Sequence, residues 1–519
     1  MLIKGGTIID GTERKRFKGD IRIDGNKISA VGDLKPLPDE KIIDATGLFV
    51  SPGFVDILNH SDAYVTLFEN PAQESLLRQG ITSILMGNCG SSLAPLTDGV
   101  FVNSIQKWGD ISRINVNWLS MGEYIEELKK HKFGVNIATL AGHSTVRRGL
   151  VQSDPGGLNK EELGQMTLML KRSLDEGAFG ISSGLAYAHG EHAHKEEISK
   201  IARLAESHKS VYSVHIRDES EHFKKSINEI LEMARQTKAN IEISHLKVVG
   251  EKFWDQFTPA LKEIEKVRNV NFDVYPYTVT ASVLYSFLPK WASKGGNKSL
   301  IPNIQNGQTR EKLIKDMEND PYSYGDMTVA MGNINPTYFG RKIKDIAKNQ
   351  DASPEEAVLN LIDASGNRVI VFTQTISEYN LKKALAHNKS FITSDGAGYK
   401  AEGSGKGEVV HPRNFGAMPR FLGKYIREYE IMSWEKAIAK ITSLPAEKIG
   451  FKNRGQINQG YFADIVIFDP SKITDTATFE NPFQYPRGIE YVFVNGKVAV
   501  ENNILKQMEG KILENHAKK

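Results

Sequence analysis

The chain is poor in cysteine, since Cys89 is the only one among 519 residues. A single cysteine excludes an intrachain disulfide and favours a reducing compartment. Apolar runs of membrane-spanning length are absent, and Met1–Asp10 has neither the apolar core nor the small-residue cleavage site of a secretory signal. Lys and Arg (66) nearly balance Asp and Glu (63), without a basic stripe for nucleic acid. These absences predict a cytoplasmic protein that binds neither nucleic acid nor a membrane.

The pattern of strand-like and helix-like segments divides the chain into three parts. Residues 1 to about 50 contain short β-like runs separated by Gly and Asp turns. From Pro52 to about Leu422, β-like runs alternate with helix-like segments such as Lys195–Ser207, which is typical of βα units around a parallel sheet. The last part again contains short β-like runs. Asn495-Gly496 between two apolar stretches is a strong signal for a β-hairpin.

This order predicts an α/β protein with a barrel of βα units and a smaller β domain. We expect the barrel at 52–422 and a β-sandwich domain at 1–51 plus 423–519, the second piece beginning with a helical lead-in. The two ends of a chain often lie close together, which allows both to contribute to one domain. Sequence rich in Lys, Asn, Gly and Pro at 287–341 predicts an insertion within the barrel, with one helix at Arg310–Met317.

Four isolated residues that can bind a divalent metal each follow a short apolar run. They are Cys89, His215, His245 and Asp395. Short runs rich in β-branched residues indicate buried parallel strands, and the C-terminal ends of such strands converge on one face of a barrel. The alternative interpretations are a buried apolar cysteine, two core histidines and an ordinary turn aspartate.

Short motifs occur in a fixed order over nearly the whole chain. They are Pro52-Gly-Phe-Val-Asp56 with His60, Gly87-Asn-Cys-Gly90, Ser213-Val-His-Ile-Arg-Asp-Glu219, Ile243-Ser-His-Leu-Lys247, Asp273-Val-Tyr-Pro-Tyr-Thr278, Ser394-Asp-Gly396, His411-Pro-Arg413 and Gly460-Tyr-Phe-Ala-Asp464. Taken together, they resemble the N-acyl-D-amino-acid deacylases (D-aminoacylases) of the amidohydrolase superfamily. The order is more specific than any single motif.

The resemblance implies a fold, an activity and a set of site residues. The fold is a (β/α)8 TIM-like barrel of the metal-dependent amidohydrolase type, with a β-sandwich domain built from both termini. The activity is zinc-dependent hydrolysis of the amide bond of N-acyl-D-amino acids. Cys89, His215 and His245 would hold the tighter zinc, and Asp395 would be the general acid/base. A thiolate and two imidazoles suit zinc, and three protein ligands leave the open position that catalytic sites require.

One departure from the family pattern affects the second metal position. The family opens its barrel with a His-x-His pair, and the corresponding residues here are Leu58-Asn59-His60. Leucine cannot bind a metal, so the second position keeps His60, Asp395 and a shared Cys89 thiolate. We therefore expect one tight zinc and a weak or absent second site, with Asn59 or Asp62 available to the same shell. The loss is also compatible with a catalytically inactive relative.

Substrate binding requires groups that hold a carboxylate and an acyl chain. Arg413 offers a planar fork and Lys247 a point charge, and Tyr187, Tyr277 and Ser282 are predicted to complete the pocket. The alternative is that both basic side chains cover solvated surface. The Gly-rich stretch from 396 to 407 is interpreted as a mobile lid.

The leading hypothesis is an N-acyl-D-amino-acid deacylase with a small-molecule N-acyl amino acid substrate. A cyclic-amide or dipeptide hydrolase of the hydantoinase kind is the alternative enzyme. A non-catalytic barrel that binds an acylated amino acid or peptide is the alternative of another class. The sequence does not determine the oligomeric state.

Overall fold

The structure is a computed structural model that describes residues 1–97, 114–152, 156–293, 296–402 and 407–515. Its strands are β1 (Leu2–Ile8), β2 (Phe17–Asp24), β3 (Lys27–Gly32), β4 (Ile42–Asp44), β5 (Phe49–Pro52), β6 (Phe54–Asp56), β7 (Ile81–Met86), β8 (Asn136–Thr139), β9 (Ala141–Gly142), β10 (Gly180–Gly184), β11 (Val211–His215), β12 (Asn240–Ile243), β13 (Val270–Val274), β14 (Val279–Val283), β15 (Thr328–Gly332), β16 (Val369–Gln374), β17 (Ser390–Ile392), β18 (Ile465–Phe468), β19 (Ile489–Val494), β20 (Lys497–Glu501) and β21 (Ile504–Leu505).

Its α-helices are α1 (Thr66–Glu69), α2 (Glu74–Leu77), α3 (Met121–Lys129), α4 (His143–Val151), α5 (Lys160–Asp175), α6 (Ala188–Glu191), α7 (Lys195–Ser207), α8 (Phe223–Thr237), α9 (Phe257–Glu265), α10 (Lys290–Ser293), α11 (Asn297–Gln305), α12 (Gly307–Glu318), α13 (Ile343–Asn349), α14 (Pro354–Ser365), α15 (Glu378–Ala386), α16 (Arg413–Arg420), α17 (Trp434–Ile441) and α18 (Ser443–Ile449). Within the described ranges, no helix is long and apolar enough to cross a membrane.

Parallel strands form a closed barrel. Strands β6, β7 and β8 pair side by side, β9 continues the line of β8 and pairs with β10, and β11, β12, β13 and β17 follow in that order. A parallel bridge between Asn59 and Gly396 joins the first and last strands. The strands are almost wholly buried, because helices cover their outer faces. The predicted (β/α)8 barrel is confirmed.

The helices between the strands follow their apolar periodicity. Helix α7 has the predicted bounds and buries Ile198, Ile201, Ala202 and Ala205, which lie three or four residues apart on one face. Helix α5 begins with a capping box, in which the Asn159 side chain accepts from the helix N-terminus. These helices pack on the barrel and fix the positions of the strand ends.

Both ends of the chain form the β-sandwich domain, as predicted. Strands β1–β5 and β18–β21 belong to one nine-stranded sheet, in which β5 pairs with β18 in antiparallel orientation. The predicted hairpin joins β19 and β20, and Asn495 and Gly496 have φ angles of 49° and 79°. Positive φ at both turn residues is the requirement of a type I′ turn, which explains the Asn-Gly pair.

The barrel extends beyond its predicted end at residue 422. Helices α17 and α18, predicted as the lead-in to the sandwich, pack against barrel strands β6 and β17. The C-terminal tail also returns to the barrel, where the Ile137 amide donates to the Lys511 carbonyl at 2.9 Å. A short β-like tail carries no information about which strand it will join, so its sequence did not reveal this contact.

The insertion between β13 and β17 is larger than the predicted 287–341. Strands β14, β15 and β16 form an antiparallel sheet, and α10–α14 pack on it, so the unit spans Val279–Gln374. It has an apolar core of its own that includes Leu284, Leu313 and Val371. The predicted helix Arg310–Met317 lies within α12. The flanking strands β14 and β16 resemble barrel strands in sequence, which explains why the predicted insertion was shorter than the observed one.

Candidate metal centre

The ends of the barrel strands bring three of the predicted metal ligands together. Cys89 follows β7, His215 ends β11 and His245 follows β12, and all three side chains are buried. One ligand atom from each lies within 4.8 Å of the other two. Residues up to 156 positions apart therefore meet on the C-terminal face of the barrel.

The dimensions and chemistry of this cluster fit a divalent metal ion. Cys89 Sγ lies 3.5 Å from His245 Nε2, and a thiolate and an imidazole on one tetrahedral zinc are about 3.6 Å apart. Among the described residues, His215 Nδ1 is buried without a hydrogen-bond partner. Burial and the neighbouring His245 hold the pKa of His215 well below its usual value. The imidazole is therefore neutral, which is the form that binds metals.

The thiol of Cys89 is protonated in the absence of a cation. Burial is the main cause that raises its pKa well above the usual value, and the carboxylates of Asp395 and Asp273 raise it further. A cation at the cluster would reverse this balance, because a divalent ion stabilises the thiolate and displaces the proton.

Three of the predicted site residues have a left-handed backbone. The φ angles are 52° at Cys89, 36° at His245 and 47° at Asp395. This conformation costs a non-glycine residue on the order of 1–3 kcal/mol and is concentrated at functional sites. With this backbone conformation, the side chains of all three residues line the same pocket.

Two buried carboxylates hold these strained turns, and the sequence did not single them out. Asp273 accepts from the His245 amide at 2.9 Å and from Thr393 Oγ1 at 3.0 Å. Asp56 accepts from the Ser394 amide at 2.9 Å. Both side chains thus fix the backbone beside a site residue.

Asp395 lies between two groups that stabilise its charge. Its Oδ1 is 3.1 Å from His60 Nε2, and its Oδ2 is 2.7 Å from Arg413 Nη1. Burial alone would raise the pKa of Asp395, but Arg413 and His60 outweigh it and hold that pKa well below its usual range. The carboxylate is therefore ionised at neutral pH and able to accept a proton.

Arg413 is buried but incompletely paired. Its Nη1 is within ion-pair distance of Asp395, yet Nη1 and Nε have no hydrogen bond of good geometry to any described residue. Its guanidinium lies over the ring of Tyr275, 4.7 Å from the centroid. Buried donors without acceptors are rare, so this guanidinium has unused capacity for an anionic oxygen.

Leu58 occupies the place beside the thiol that the His-x-His pattern assigns to a ligand. Its side chain is fully buried and packs with Cys89 and Tyr187. His60, the remaining member of the pair, has Nε2 4.0 Å from Cys89 Sγ.

The two other residues of this segment are used elsewhere. The Asn59 amide donates to Asp56 at 3.0 Å. Asp62 accepts from the Gly87 amide at 2.9 Å. Neither lines the site pocket.

Glu219 is the main site residue that the sequence reasoning missed. Its Oε1 lies 3.2 Å from His245 Nδ1, 3.8 Å from His215 Nε2 and 2.6 Å from Lys247 Nζ. A carboxylate that accepts from the second ring nitrogen of a ligating histidine fixes its tautomer and orientation. Its position four residues after His215 in the Ser213–Glu219 motif was the available signal.

The site pocket contains most of the predicted substrate-binding residues. It is lined by His60, Tyr64, Cys89, Tyr187, His215, Glu219, His245, Lys247, Tyr275, Thr280, Ala281, Ser282, Asp395 and Arg413. Lys247 is part of this wall, but its ammonium already donates to the Glu219 carboxylate and to the His245 carbonyl. Tyr187 and Ser282 also line a larger adjoining cavity.

Tyr277 lies outside the pocket, in contrast to the prediction. Its hydroxyl is 3.4 Å from Asp475 Oδ2, and its ring faces Arg420. Tyr275 takes the place in the pocket. Strand β13 ends at Val274, so the alternation of side chains along a strand no longer applies to these tyrosines.

The predicted lid can be compared with the structure only in part. Gly396 and Ala397 are fixed by hydrogen bonds from their amides to Ser394 Oγ and Asn414 Oδ1. Residues 403–406 lie outside the described residues, and the role of a lid stays a prediction.

Comparison with known proteins gives the class of the protein. Residues 41–500 match the family model described as "Amidohydrolase family". A D-aminoacylase of Alcaligenes xylosoxydans xylosoxydans is 30% identical over 99% of this chain and 97% of its own length.

Two solved structures extend this result. A D-aminoacylase, described in terms of one-metal activation and second-metal attenuation, has a TM-score of 0.84 at 30% identity, with 99% of each chain covered. The N-acyl-D-glutamate deacylase of Bordetella bronchiseptica, in complex with zinc and a phosphonate mimic of the tetrahedral intermediate, has a TM-score of 0.85 at 28% identity, again with 99% coverage of each.

The chain therefore belongs to the amidohydrolase family, on its D-aminoacylase branch. It is a hydrolase that acts on carbon–nitrogen bonds.

Proposed function

We propose that this protein hydrolyses N-acyl-D-amino acids to a carboxylate and a D-amino acid with one zinc ion, and that Asp395 is its general acid/base. The observation that supports the proposal is that one pocket contains the candidate metal ligands, a general acid/base and a group for the carboxylate. Three metal-ligand atoms within 4.8 Å of one another share it with an ionised Asp395 and a buried, incompletely paired Arg413. These are the groups that an N-acyl amino acid requires, one set for the amide and one for the carboxylate.

The site residues have separate roles in the proposed reaction. Zinc held by Cys89, His215 and His245 would supply a hydroxide at neutral pH, because it lowers the pKa of water to about 7. Asp395 accepts the proton of the attacking water and returns it to the nitrogen of the departing amine. Arg413 binds the α-carboxylate of the substrate with its free N–H groups.

The neighbouring residues position these groups. Glu219 accepts from the Nδ1–H of His245, and Lys247 holds Glu219 in place through a contact of 2.6 Å. We therefore assign Lys247 to the support of the metal ligands as well as to the pocket wall. His60 keeps Asp395 Oδ1 in position at 3.1 Å.

The proposal is tested by metal analysis of the purified protein together with a hydrolysis screen. The screen compares N-acetyl-D- and N-acetyl-L-amino acids, cyclic amides and dipeptides. The expected result is about one zinc per chain and turnover of the D forms. Equal hydrolysis of both enantiomers, or faster hydrolysis of cyclic amides, would contradict the substrate assignment, and ligand binding without turnover would make the protein a binding module.

An Arg413→Ala variant is expected to lower kcat/KM for an N-acetyl-D-amino acid by roughly thirtyfold and to leave the zinc content unchanged. The reason is the loss of a charge-assisted contact with the carboxylate, on the order of 2 kcal/mol. Steady-state kinetics and metal analysis check it. The matched control is Arg341→Ala, which removes an exposed arginine outside the pocket. Parent-like kinetics in Arg413→Ala would place the carboxylate elsewhere.

A Leu58→His variant is expected to bind a second zinc ion at high zinc concentration, whereas the parent saturates at one. Leu58 packs on Cys89, so an imidazole at this position would complete a site with His60, Asp395 and the shared thiolate. Metal content after equilibration at graded zinc concentrations checks it. Leu58→Phe serves as a control of similar bulk without a ligand atom. Two zinc ions in the parent would contradict the role given to Leu58.

A further inference from the structure

A large cavity adjoins the site pocket. Its volume is about 790 Å³, and it shares Tyr187, His215, Glu219, Thr280 and Ser282 with the site pocket, so the two spaces lie side by side. An acetylated amino acid of ordinary size fills only a fraction of such a volume, since ligand pockets for drug-sized molecules fall between about 300 and 1,000 Å³. The cavity therefore has room for an extended part of a substrate.

Several of the charged side chains that line this cavity are paired, whereas Glu191, Glu221 and Asp320 line it without an ion pair among the described residues. Arg217 binds Glu229 at 2.9 Å and donates to backbone carbonyls, and Lys290 is bonded to Asp218. The opposite charges in these pairs neutralise each other, and the contacts connect the segments that form the cavity wall. The paired groups therefore contribute little net charge to the cavity.

Arg148 of α4 is different. It is half-buried, and its Nε is buried without a hydrogen-bond partner among the described residues. In the described part of the chain no carboxylate lies within ion-pair distance of it. Burial lowers the pKa of this guanidinium, and among the described residues only the Tyr285 phenol acts against burial. Phenols are neutral at physiological pH, so no described residue compensates the positive charge of Arg148 in the cavity.

The described surroundings of Arg148 contain no counter-ion for it. Glu191 lines the same cavity and acts on Tyr285 together with Arg148, but no ion pair joins Glu191 to Arg148 in the structure as described. A second guanidinium, that of Arg368, also lines the cavity, is half-buried, and is without an ion pair among the described residues. An unpaired charge away from bulk water is costly, which makes such a site suited to an anionic ligand.

We propose that Arg148 binds a second carboxylate of the substrate, remote from the scissile amide, so that the preferred substrates are N-acyl-D-amino acids with an additional negative charge in the side chain or the acyl group. This inference rests on the proposed function of the same site. It assigns the two arginines different tasks: Arg413 holds the α-carboxylate beside the metal ligands, and Arg148 holds the distal carboxylate in the adjoining cavity.

A structural role for Arg148 makes a different prediction. The residue lies in the last turn of α4, where a cation is favoured by the helix dipole. If Arg148 served mainly the helix, its removal would lower the stability of the free protein. If it is an uncompensated charge kept for a ligand, its removal leaves the stability unchanged or raises it.

The test compares substrates that differ only in one charge. N-acetyl-D-glutamate is compared with N-acetyl-D-glutamine for a side-chain carboxylate, and N-succinyl-D-alanine with its terminal amide for an acyl carboxylate. The parent is expected to favour the charged member of one pair by roughly tenfold to a hundredfold in kcat/KM, the range for a hydrogen bond between charged groups. The pair that shows the preference identifies the source of the carboxylate. Equal rates within both pairs would overturn the inference.

Variants of Arg148 complete the test. Arg148→Met is expected to reduce the preference to near unity without affecting the neutral members, and Arg148→Lys to retain part of it, because the charge remains but the fork is lost. The control Arg341→Met makes the same change of net charge at an exposed position outside the cavity and should leave the preference intact. An unchanged preference in Arg148→Met would overturn the assignment, as would a fall in Tm of the substrate-free variant.

The two proposals fail in different ways. Hydrolysis of the neutral substrate N-acetyl-D-methionine by the parent and by Arg148→Met tests the proposed function alone. If that reaction is present and the charge preference is absent, only the role of Arg148 is wrong. If no N-acyl-D-amino acid is hydrolysed at all, the proposed function fails.

Discussion

A His215→Ala variant is expected to lose its zinc and, with it, hydrolysis of N-acyl-D-amino acids by at least about a thousandfold. The side chain offers one of the three ligand atoms that lie within 4.8 Å of one another. Two remaining ligands, a thiol and an imidazole, are fewer than the three that catalytic zinc sites use. A bound metal contributes several kcal/mol to the stabilisation of the transition state, and each 1.36 kcal/mol is a factor of ten in rate.

The measurement combines metal content, kinetics and thermal unfolding of the same preparation. His131→Ala is the matched control, because His131 is an exposed histidine paired with Glu127 on α3, away from the pocket. The control is expected to keep zinc and activity. Retention of zinc by His215→Ala with full activity would show that the metal is held by other residues, and His60 would be examined next.

An Asp395→Asn variant is expected to retain its zinc and its fold but to lose at least about a hundredfold in kcat, the lower end for removal of a general acid/base. The amide has nearly the shape of the carboxylate and can keep a contact with His60 or Arg413. It cannot accept the proton of the attacking water. The effect should appear in kcat more than in KM, because the proton transfer occurs in the chemical step.

The comparison for this variant is Asp345→Asn, which makes the same substitution at an exposed position on α13. Turnover by Asp395→Asn at the parent's rate would assign the proton transfer to another group. Loss of zinc in that variant would instead indicate that Asp395 is a metal ligand, and the Leu58→His result would then need to be interpreted with a different ligand set.

The strain at the site residues gives these predictions a common physical basis. Cys89, His245 and Asp395 all have positive φ, and buried carboxylates of the barrel hold two of these turns. The packing of the surrounding barrel offsets the conformational strain of these turns. Substitution of a site side chain should therefore affect binding and turnover more than stability, which is what the paired measurements of Tm and kinetics examine.

The sequence predicted the members of the site because each follows a strand. A short apolar run identifies a buried strand, and parallel strands in a barrel present their C-terminal ends on one face. Cys89, His215, His245 and Asp395 could therefore be grouped without coordinates, and the order of the motifs gave the family. The loss of a ligand at Leu58 could also be recognised from the sequence, since it concerns the identity of a residue and not its orientation.

Contacts beyond the strand ends could not be predicted in the same way. Tyr277 was chosen where Tyr275 lines the pocket, and Glu219 was not chosen at all. The alternation of side chains holds along a strand but ends with it, and in the following loop the direction of each side chain depends on local dihedral angles and on distant neighbours. The sequence contains no periodic signal for these angles.

By itself, then, the sequence indicated the alternation of strands and helices, the contribution of both chain ends to one β domain and the residues that stand at the strand ends. Only the tertiary structure decided that α17, α18 and the C-terminal tail pack on the barrel, and that Lys247 is bonded to Glu219. It also decided that Arg148 lines the cavity with no counter-ion among the residues that the structure describes. The physical reason is that backbone periodicity is encoded locally, whereas the pairing of a charge depends on which distant segments the folded chain brings within a few ångströms of it.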